Sequence, residues 1–242
     1  MTADSRYRRN IDVPGLGEQG QDRLRRARVL VVGAGGLGSP VLVYLTAAGV
    51  GTLGIADGDV VEVANLQRQV VHPEAAVGTN KARSAAHRLA ELNSGVAFEV
   101  IEEMVRPETA AALFAGYDLV LDCCDTFAAK LMVADAAQAA GVPLVWGSAV
   151  SMQGQVSVFG VPDDTGRRWT LRDLFPVEPE PGTYPLAVDV GVLGAMVGQV
   201  GSVMATEAIK LLAGFGRPLA GRVLILDAAA SRWDVVALGS QP

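Results

Sequence analysis

The chain predicts an α/β protein: a Rossmann-like, mostly parallel sheet with helices on both faces, extended by antiparallel strands toward the C-terminus. Three observations carry this reading. A glycine-rich turn, Gly33-Ala34-Gly35-Gly36-Leu37-Gly38, follows an apolar β-branched run and precedes small and aliphatic residues that suit a close-packed helix. Apolar strands and amphipathic helices then alternate as far as residue 146, the pattern of a parallel sheet covered on both sides. Beyond that point the period changes to two, as in half-exposed antiparallel strands.

Taken in order, residues 1–21 are polar and carry Arg6, Arg8 and Arg9 before Gly15, Gly17 and Gly20. They read either as a solvated N-terminal arm or as an arm that docks and delivers an arginine to an anion, with a short helical turn at 22–26. Arg28–Val32 reads as a buried strand, the segment after Gly38 through Ala48 as a helix, and Thr52–Ala56 as a second strand ending at Asp57. Residues 60–71 form a loop or short helix around Asn65-Leu66-Gln67-Arg68-Gln69. Lys81–Leu92 is amphipathic and helical, with Ala82, Ala86, Leu89 and Ala90 on its apolar side. Residues 98–101 read as a strand, Pro107–Phe114 as a helix, 118–123 as a buried strand, Phe127–Ala140 as a helix and 143–146 as a strand. Residues 154–159 alternate as a half-exposed strand, and 163–185, rich in proline, glycine and charge, read as a long loop. Residues 222–226 and 234–238 are close enough in sequence to form an antiparallel pair. No internal repeat is visible, and the 242 residues are read as a single domain: an arm and helix at 1–27, the alternating strand–helix half at 28–150, and a second half at 151–242.

Residues 188–214 are long and apolar enough to raise the possibility of a membrane span. Asp189, Gln199, Glu207 and Lys210 interrupt the run, while Gly194, Gly198, Ser202 and Thr206 recur at every fourth position. That spacing lays a smooth stripe of small residues along one helix face, which favours a buried core helix or a dimer interface.

Composition narrows the function. Half the residues are apolar and 19% are charged, so the chain can build a substantial core. A net charge of −6 with no long basic run argues against nucleic acid as the main partner. The two cysteines, Cys123 and Cys124, are adjacent and cannot form an ordinary disulfide framework or close a tetrahedral zinc site. A cytoplasmic location with no membrane association follows as the expectation.

The chemistry begins at the glycine-rich turn. Its spacing is G-x-G-x-x-G, with a strand before it, a helix after it, and an acid, Asp57, nineteen residues past Gly38. Glycines let the backbone approach a phosphate, and a helix N-terminus offers unpaired N–H groups to it. Asp57 can accept hydrogen bonds from ribose hydroxyls. The turn alone does not distinguish a nicotinamide cofactor from ATP.

A more specific signal joins Arg9 in RYRRN, the glycine turn, the block IADGDVVEVANLQRQV, Lys81 and the segment DCCDTF. Together these resemble the ThiF/MoeB adenylyltransferase family, relatives of the ubiquitin-activating enzymes, over nearly the whole chain. The loop RDLFP and the helix GVLG…EAIKLL add likeness to the zinc-less actinobacterial members. The resemblance implies formation of an acyl-adenylate: the C-terminal glycine carboxylate of a small ubiquitin-like sulfur carrier, ending Gly-Gly, attacks the α-phosphate of Mg-ATP and releases pyrophosphate. It implies that Gly33, Gly35, Gly36, Leu37 and Gly38 line the phosphate loop and that Asp57 and Asp59 lie by the nucleotide. It further implies that Asn65, Gln67, Arg68 and Lys81 contact the nucleotide, that Asp125 binds Mg²⁺ with Thr126 beside it, and that Arg9 reaches the phosphates from the other subunit of a homodimer. Such chemistry needs no general base, because a carboxylate is ionised near pH 7. His72 and His87 are therefore expected to be structural or surface residues.

The chain departs from the family pattern in three places. Two Cys-x-x-Cys pairs hold zinc in many relatives; here the loop has Trp169-Thr170-Leu171-Arg172-Asp173 and the chain ends Gly239-Ser240-Gln241-Pro242, so no zinc is expected. The cysteine that precedes the last long helix in many relatives aligns with Ala187, which leaves sulfur to a separate donor protein. Thr126 stands where an asparagine is usual, and Lys130 stands where an arginine is usual and cannot make a bidentate contact. Cys123 and Cys124 read as small hydrophobes rather than a sulfur relay. The alternatives are a peptide or other carboxylate adenylated by the same site, or a non-catalytic nucleotide-binding dimer. A nicotinamide dehydrogenase is less consistent with the residues.

Overall fold

The computed structural model describes residues 3–180, 182–184 and 187–239. Five strands run parallel: β1 (Arg28–Val32), β2 (Thr52–Ala56), β3 (Ala97–Ile101), β4 (Leu119–Asp122) and β5 (Leu144–Val150). Three more, β6 (Gln153–Phe159), β7 (Arg222–Asp227) and β8 (Arg232–Ala237), continue the sheet antiparallel. The eight-stranded order is β3-β2-β1-β4-β5-β6-β7-β8. Strand order therefore reverses between β1 and β4, which opens a crevice at their carboxyl ends, the usual place for a ligand in such sheets.

The helices are α1 (Ala3–Ile11), α2 (Gly17–Arg26), α3 (Gly38–Ala48), α4 (Lys81–Leu92), α5 (Pro107–Phe114), α6 (Phe127–Ala140), α7 (Leu171–Leu174), α8 (Ala187–Val190) and α9 (Gly194–Ala213). Because both faces of the sheet are covered, β1 is apolar from Val29 to Val32 rather than alternating. Val29 and Val31 join a core with Leu24, Leu42, Leu45, Leu89 and Met204, beneath α2, α3, α4 and α9. Leu30 and Val32 face the opposite core, with Phe114, Leu131, Val133 and Trp146 beneath α5 and α6.

The α/β class and the antiparallel extension are as the sequence implies, and the elements differ most at the N-terminus, in the long loop and at β5. The expected arm at 1–21 is two helices, and the expected turn at 22–26 is the end of α2. Sparse apolar residues anchor them: Tyr7 and Leu16 are buried and Leu24 is fully enclosed. The Tyr7 hydroxyl also accepts a 2.8 Å hydrogen bond from Asn93 Nδ2. The long loop contains α7, held by a capping box in which Thr170 and Asp173 bond each other's backbone amides. The strand expected at 143–146 extends to Val150 by pairing with β6.

The apolar stretch 188–214 is not one helix. Gly191, at φ 76°, and the extended Leu193 separate α8 from α9. Among the described residues no helix is long and apolar enough to cross a membrane. The small-residue stripe divides in two. Gly194 sits against the backbone of Gln67, whereas Gly198, Ser202 and Thr206 line an open groove. The expected end at residues 240–242 lies outside the described residues.

Candidate functional site

The glycine turn occupies the carboxyl end of β1, on the crevice. Gly33 adopts φ 98°, and a Cβ there would lie 2.8 Å from the carbonyl oxygen of Cys123. A Cβ at Gly38 would collide with the Gly33 carbonyl oxygen. These contacts close the turn onto the end of β4, and only glycine permits them. No side chain caps α3. The N–H groups of Gly35, Gly36 and Leu37 have no hydrogen-bond partner among the described residues. Uncapped amides at a helix start favour an anion.

Asp57 closes the next strand and orders this turn. Its Oδ2 accepts from the Ala34 N–H at 2.7 Å and its Oδ1 from the Asp59 N–H at 2.9 Å. Each carboxylate oxygen retains acceptor capacity for a sugar hydroxyl. Asn80 caps α4 by accepting from the Arg83 N–H, and its Nδ2 donates to the carbonyl oxygens of Asp57 and Asp59. Lys81 therefore starts α4 beside the end of β2. Its Nζ, almost fully buried, donates to Asp59 Oδ2 at 3.0 Å, while Asp59 is more than half exposed.

The segment Asn65-Leu66-Gln67-Arg68-Gln69 is a tight turn that wraps the phosphate loop. Arg68 Nη2 donates to Asn65 Oδ1 at 3.1 Å, so the pair forms one unit. Gln67 supports the start of α9 through its backbone, and its side chain is exposed. Gln69 is buried against Gly35, and its Oε1 has no hydrogen-bond partner. An orphaned polar atom beside uncapped amides fits a site shaped for a polar ligand.

Across the crevice, Asp122 ends β4 fully buried. Its Oδ1 accepts from the Cys124 N–H at 2.9 Å, and its Oδ2 pairs with Lys130 Nζ at 3.3 Å. Lys130 Nζ also donates to the Gly147 carbonyl oxygen at 2.6 Å. This arrangement sets the loop 123–126, where Asp125 is exposed and without a partner among the described residues. Thr126 caps α6, its Oγ1 accepting from the Ala129 N–H at 3.3 Å. Cys123 is buried and Cys124 half-buried, and burial pushes both thiols well above their ordinary range, with Asp122 adding to the effect. Protonated thiols are poor nucleophiles, which agrees with their reading as packing residues.

Arg9 is apart from this cluster. Its helix α1 docks at the far ends of α3 and α4: Tyr7 abuts Gly49, and Arg6 donates to the Leu92 carbonyl oxygen. The phosphate loop is at the opposite end of α3, about 16 Å away for eleven residues. Arg9 is exposed and unpaired among the described residues.

Sequence reasoning singled out the glycine turn, Asp57, Asp59 and Lys81, which direct hydrogen bonds join here. It did not anticipate Gln69, Asp122 or the enclosed role of Lys130. Asp122 and Lys130 are eight residues apart on different elements, and no local period links them. His72 is buried, as expected of a structural residue, and bonded to both the loop and α4. His87 is exposed.

A glycine turn with uncapped amides, an acid closing the neighbouring strand and a buried lysine meet at a strand-order reversal, the usual place for a ligand in an α/β sheet. The chain belongs to the ThiF family, whose model matches residues 7–242. It is 48% identical over 238 residues to a probable adenylyltransferase/sulfurtransferase, MoeZ, of Mycobacterium tuberculosis, an alignment that covers 98% of this chain and 61% of that protein. It is 44% identical to a sulfur carrier protein adenylyltransferase of Thermus thermophilus, covering 98% of this chain and 88% of that one. Among solved structures, E. coli MccB with MccA-N7isoASN superposes with a TM-score of 0.82 at 21% identity, over 100% of this chain and 74% of that one, a likeness of fold.

Proposed function

We propose that the chain is an ATP-dependent adenylyltransferase that activates the C-terminal glycine carboxylate of a small ubiquitin-like sulfur carrier. The observation that carries this reading is Lys81: its buried ammonium is held by an exposed carboxylate beside uncapped phosphate-loop amides. The names of the relatives support the carrier as substrate. In the reaction a carboxylate oxygen bonds to the α-phosphorus, the bond from that phosphorus to the bridging oxygen breaks, and pyrophosphate leaves. Both reactants are anions, so the barrier is largely charge, and fixed cations and positioning lower it. Gly33, Gly35, Gly36, Leu37 and Gly38 cradle phosphate, while Asp57 and Asp59 order the loop and face the sugar. Asn65 orients Arg68, which binds the polyphosphate with Lys81, and Gln67 and Thr126 complete the lining. Asp125, a carboxylate at the crevice that is unpaired among the described residues, suits a hard oxygen-seeking cation. Mg²⁺ bound there would neutralise phosphate charge.

The reading includes a homodimer in which Arg9 serves the partner's site, since α1 is too far from the loop of its own chain. A groove of about 860 Å³ supports it, formed by Pro40, Tyr44, Gly198, Ser202, Thr206 and Trp233. Ser202 and Thr206 direct their hydroxyls to carbonyls of α9 itself, leaving the groove surface largely apolar. Light scattering at micromolar concentration is expected to give a dimer and, for Gly198→Leu, a monomer. A monomeric parent protein would overturn the trans role of Arg9. Sulfur is supplied by a separate donor protein, and the single domain divides into a nucleotide half at 28–150 and a carrier half at 151–242.

The test is ATP–pyrophosphate exchange with Mg²⁺, with and without carriers ending Gly-Gly. Carrier-dependent exchange that is lost in Lys81→Ala is expected, with an AMP adduct on the carrier by intact mass. ATP binding without exchange at any carrier would overturn the reading in favour of a non-catalytic dimer. An adduct on a supplied peptide alone would redirect it to that substrate.

A further inference from the structure

Ala34, the second residue of the phosphate loop, is gripped at both ends of its backbone. Its N–H donates to Asp57 Oδ2 at 2.7 Å, and its carbonyl oxygen meets His72 Nε2 at 2.8 Å. A carbonyl oxygen can only accept, so Nε2 carries the hydrogen. In the neutral ring Nδ1 is then an acceptor, and it receives the Ser84 hydroxyl at 3.0 Å. Ser84 lies three residues after Lys81 on α4, on the same side of the helix. One buried imidazole thus ties the phosphate loop to the helix that carries the lysine.

We propose that His72 is a positioning residue for the adenylation site: it sets the height of the phosphate-loop amides relative to Lys81 and so prepares the nucleotide site before ligand arrives. The proposal rests on the adenylyltransferase reading. Ala34 stands between Gly33 and Gly35, two residues with wide conformational freedom. Asp57 fixes the Gly33–Ala34 peptide, whereas the next peptide, Ala34–Gly35, would be free to pivot without the His72 bond. The His72 bond removes the pivot. Its loss would leave a buried carbonyl unpaired and return the loop to several conformations, so that nucleotide binding must order it again.

The experiment compares His72→Leu, His72→Gln and Ser84→Ala with the parent protein. The readouts are Kd for ATP by calorimetry, KM and kcat for ATP–pyrophosphate exchange with carrier, and the thermal midpoint. Glutamine can place an N–H donor near the position of Nε2, and leucine cannot. His72→Leu is expected to bind ATP about 5- to 100-fold more weakly, the effect of one unpaired buried acceptor. KM should rise in parallel while kcat changes much less. His72→Gln should recover most of the affinity, and Ser84→Ala should show a smaller loss in the same direction. Equal ATP affinity in folded His72→Leu and parent protein would overturn the proposal. So would a loss in His72→Leu that His72→Gln, equally stable, does not restore. If His72→Leu fails to fold, the Ser84→Ala and His72→Gln affinities decide between the same two results. A parent protein that binds ATP without exchange would overturn the adenylation reading while the Kd series still judged His72.

Discussion

Two lysines near the crevice are nearly enclosed, and they differ in their partners. Lys81 pairs with Asp59, whose carboxylate is 56% exposed, whereas Lys130 pairs with Asp122, whose side chain is 0% exposed. Among the described residues Lys81 has a single bonded partner, which leaves two further N–H groups to offer. Solvent already stabilises Asp59, so a phosphate can take the ammonium without stranding a buried charge. Lys130 is committed to Asp122 and the Gly147 carbonyl, and its ammonium lies 5.9 Å from the centre of the Trp146 ring. Withdrawing it would leave an uncompensated carboxylate in the core. Exposure of the partner, more than that of the lysine, separates a site residue from a structural one.

The comparison breaks first at Lys130. Lys130→Met is expected to destabilise the fold by about 3–5 kcal/mol, because removing one member of a buried pair strands the other. Chemical denaturation measures it. The double change Asp122→Leu with Lys130→Met should recover part of that loss, since no charge then remains buried. Recovery confined to stability, with exchange activity still low, would identify the pair as the support of the loop bearing Asp125.

Lys81→Met should show the reverse pattern. Its partner Asp59 stays in solvent when the ammonium is removed, so no charge is stranded in the core and the melting transition should move little. Exchange activity should fall by about 10²–10³-fold, the range for losing one electrostatic contact to a transition state. A variant that unfolds while the remaining folded fraction keeps full activity would remove the distinction between the two lysines.

These lysines also show what was legible in the sequence. Lys81 was legible as a site residue only through the family resemblance, which implies it together with Asn65 and Arg68, whereas its helix shows in the amphipathic period from Lys81 to Leu92. The parallel strands were legible as short apolar runs, and β1, β2, α4, α5 and α6 fall where the residues indicate. Lys130 was legible only as a departure, a lysine where arginine is usual, because its partner lies across a strand–loop–helix connection. The N-terminal helices were obscured for a related reason. Their apolar anchors, Tyr7, Leu16 and Leu24, are too widely spaced among charged residues to show a helical period. They pay off only against α3, α4 and α9, in contacts remote in sequence. His72 was legible only as a structural or surface residue, because its two partners, Ala34 and Ser84, lie far from it in sequence.

The smallest effect concerns that histidine and sharpens the same contrast between sealed and reachable groups. Burial holds the His72 imidazole below its ordinary pKa, with Lys81 acting in the same direction and the Ala34 carbonyl and Asp57 opposing it. A histidine with a lowered native pKa takes up its proton preferentially in the unfolded chain. Its contribution to stability is therefore complete above the unfolded value, about 6.5, and is lost as pH falls from there through the native value. Over that interval the unfolded state binds up to one more proton, so stability falls by at most about 1.4 kcal/mol per pH unit from this group. Denaturation curves of the parent protein and His72→Gln between pH 7.5 and about 5 isolate the term. The parent curve is expected to decline more steeply on acidification, while His87, exposed on α4, should contribute nothing to the difference. Parallel curves would mean that the ring is protonated as readily in the folded protein as in the unfolded chain, so that its burial between the phosphate loop and α4 does not favour the neutral tautomer.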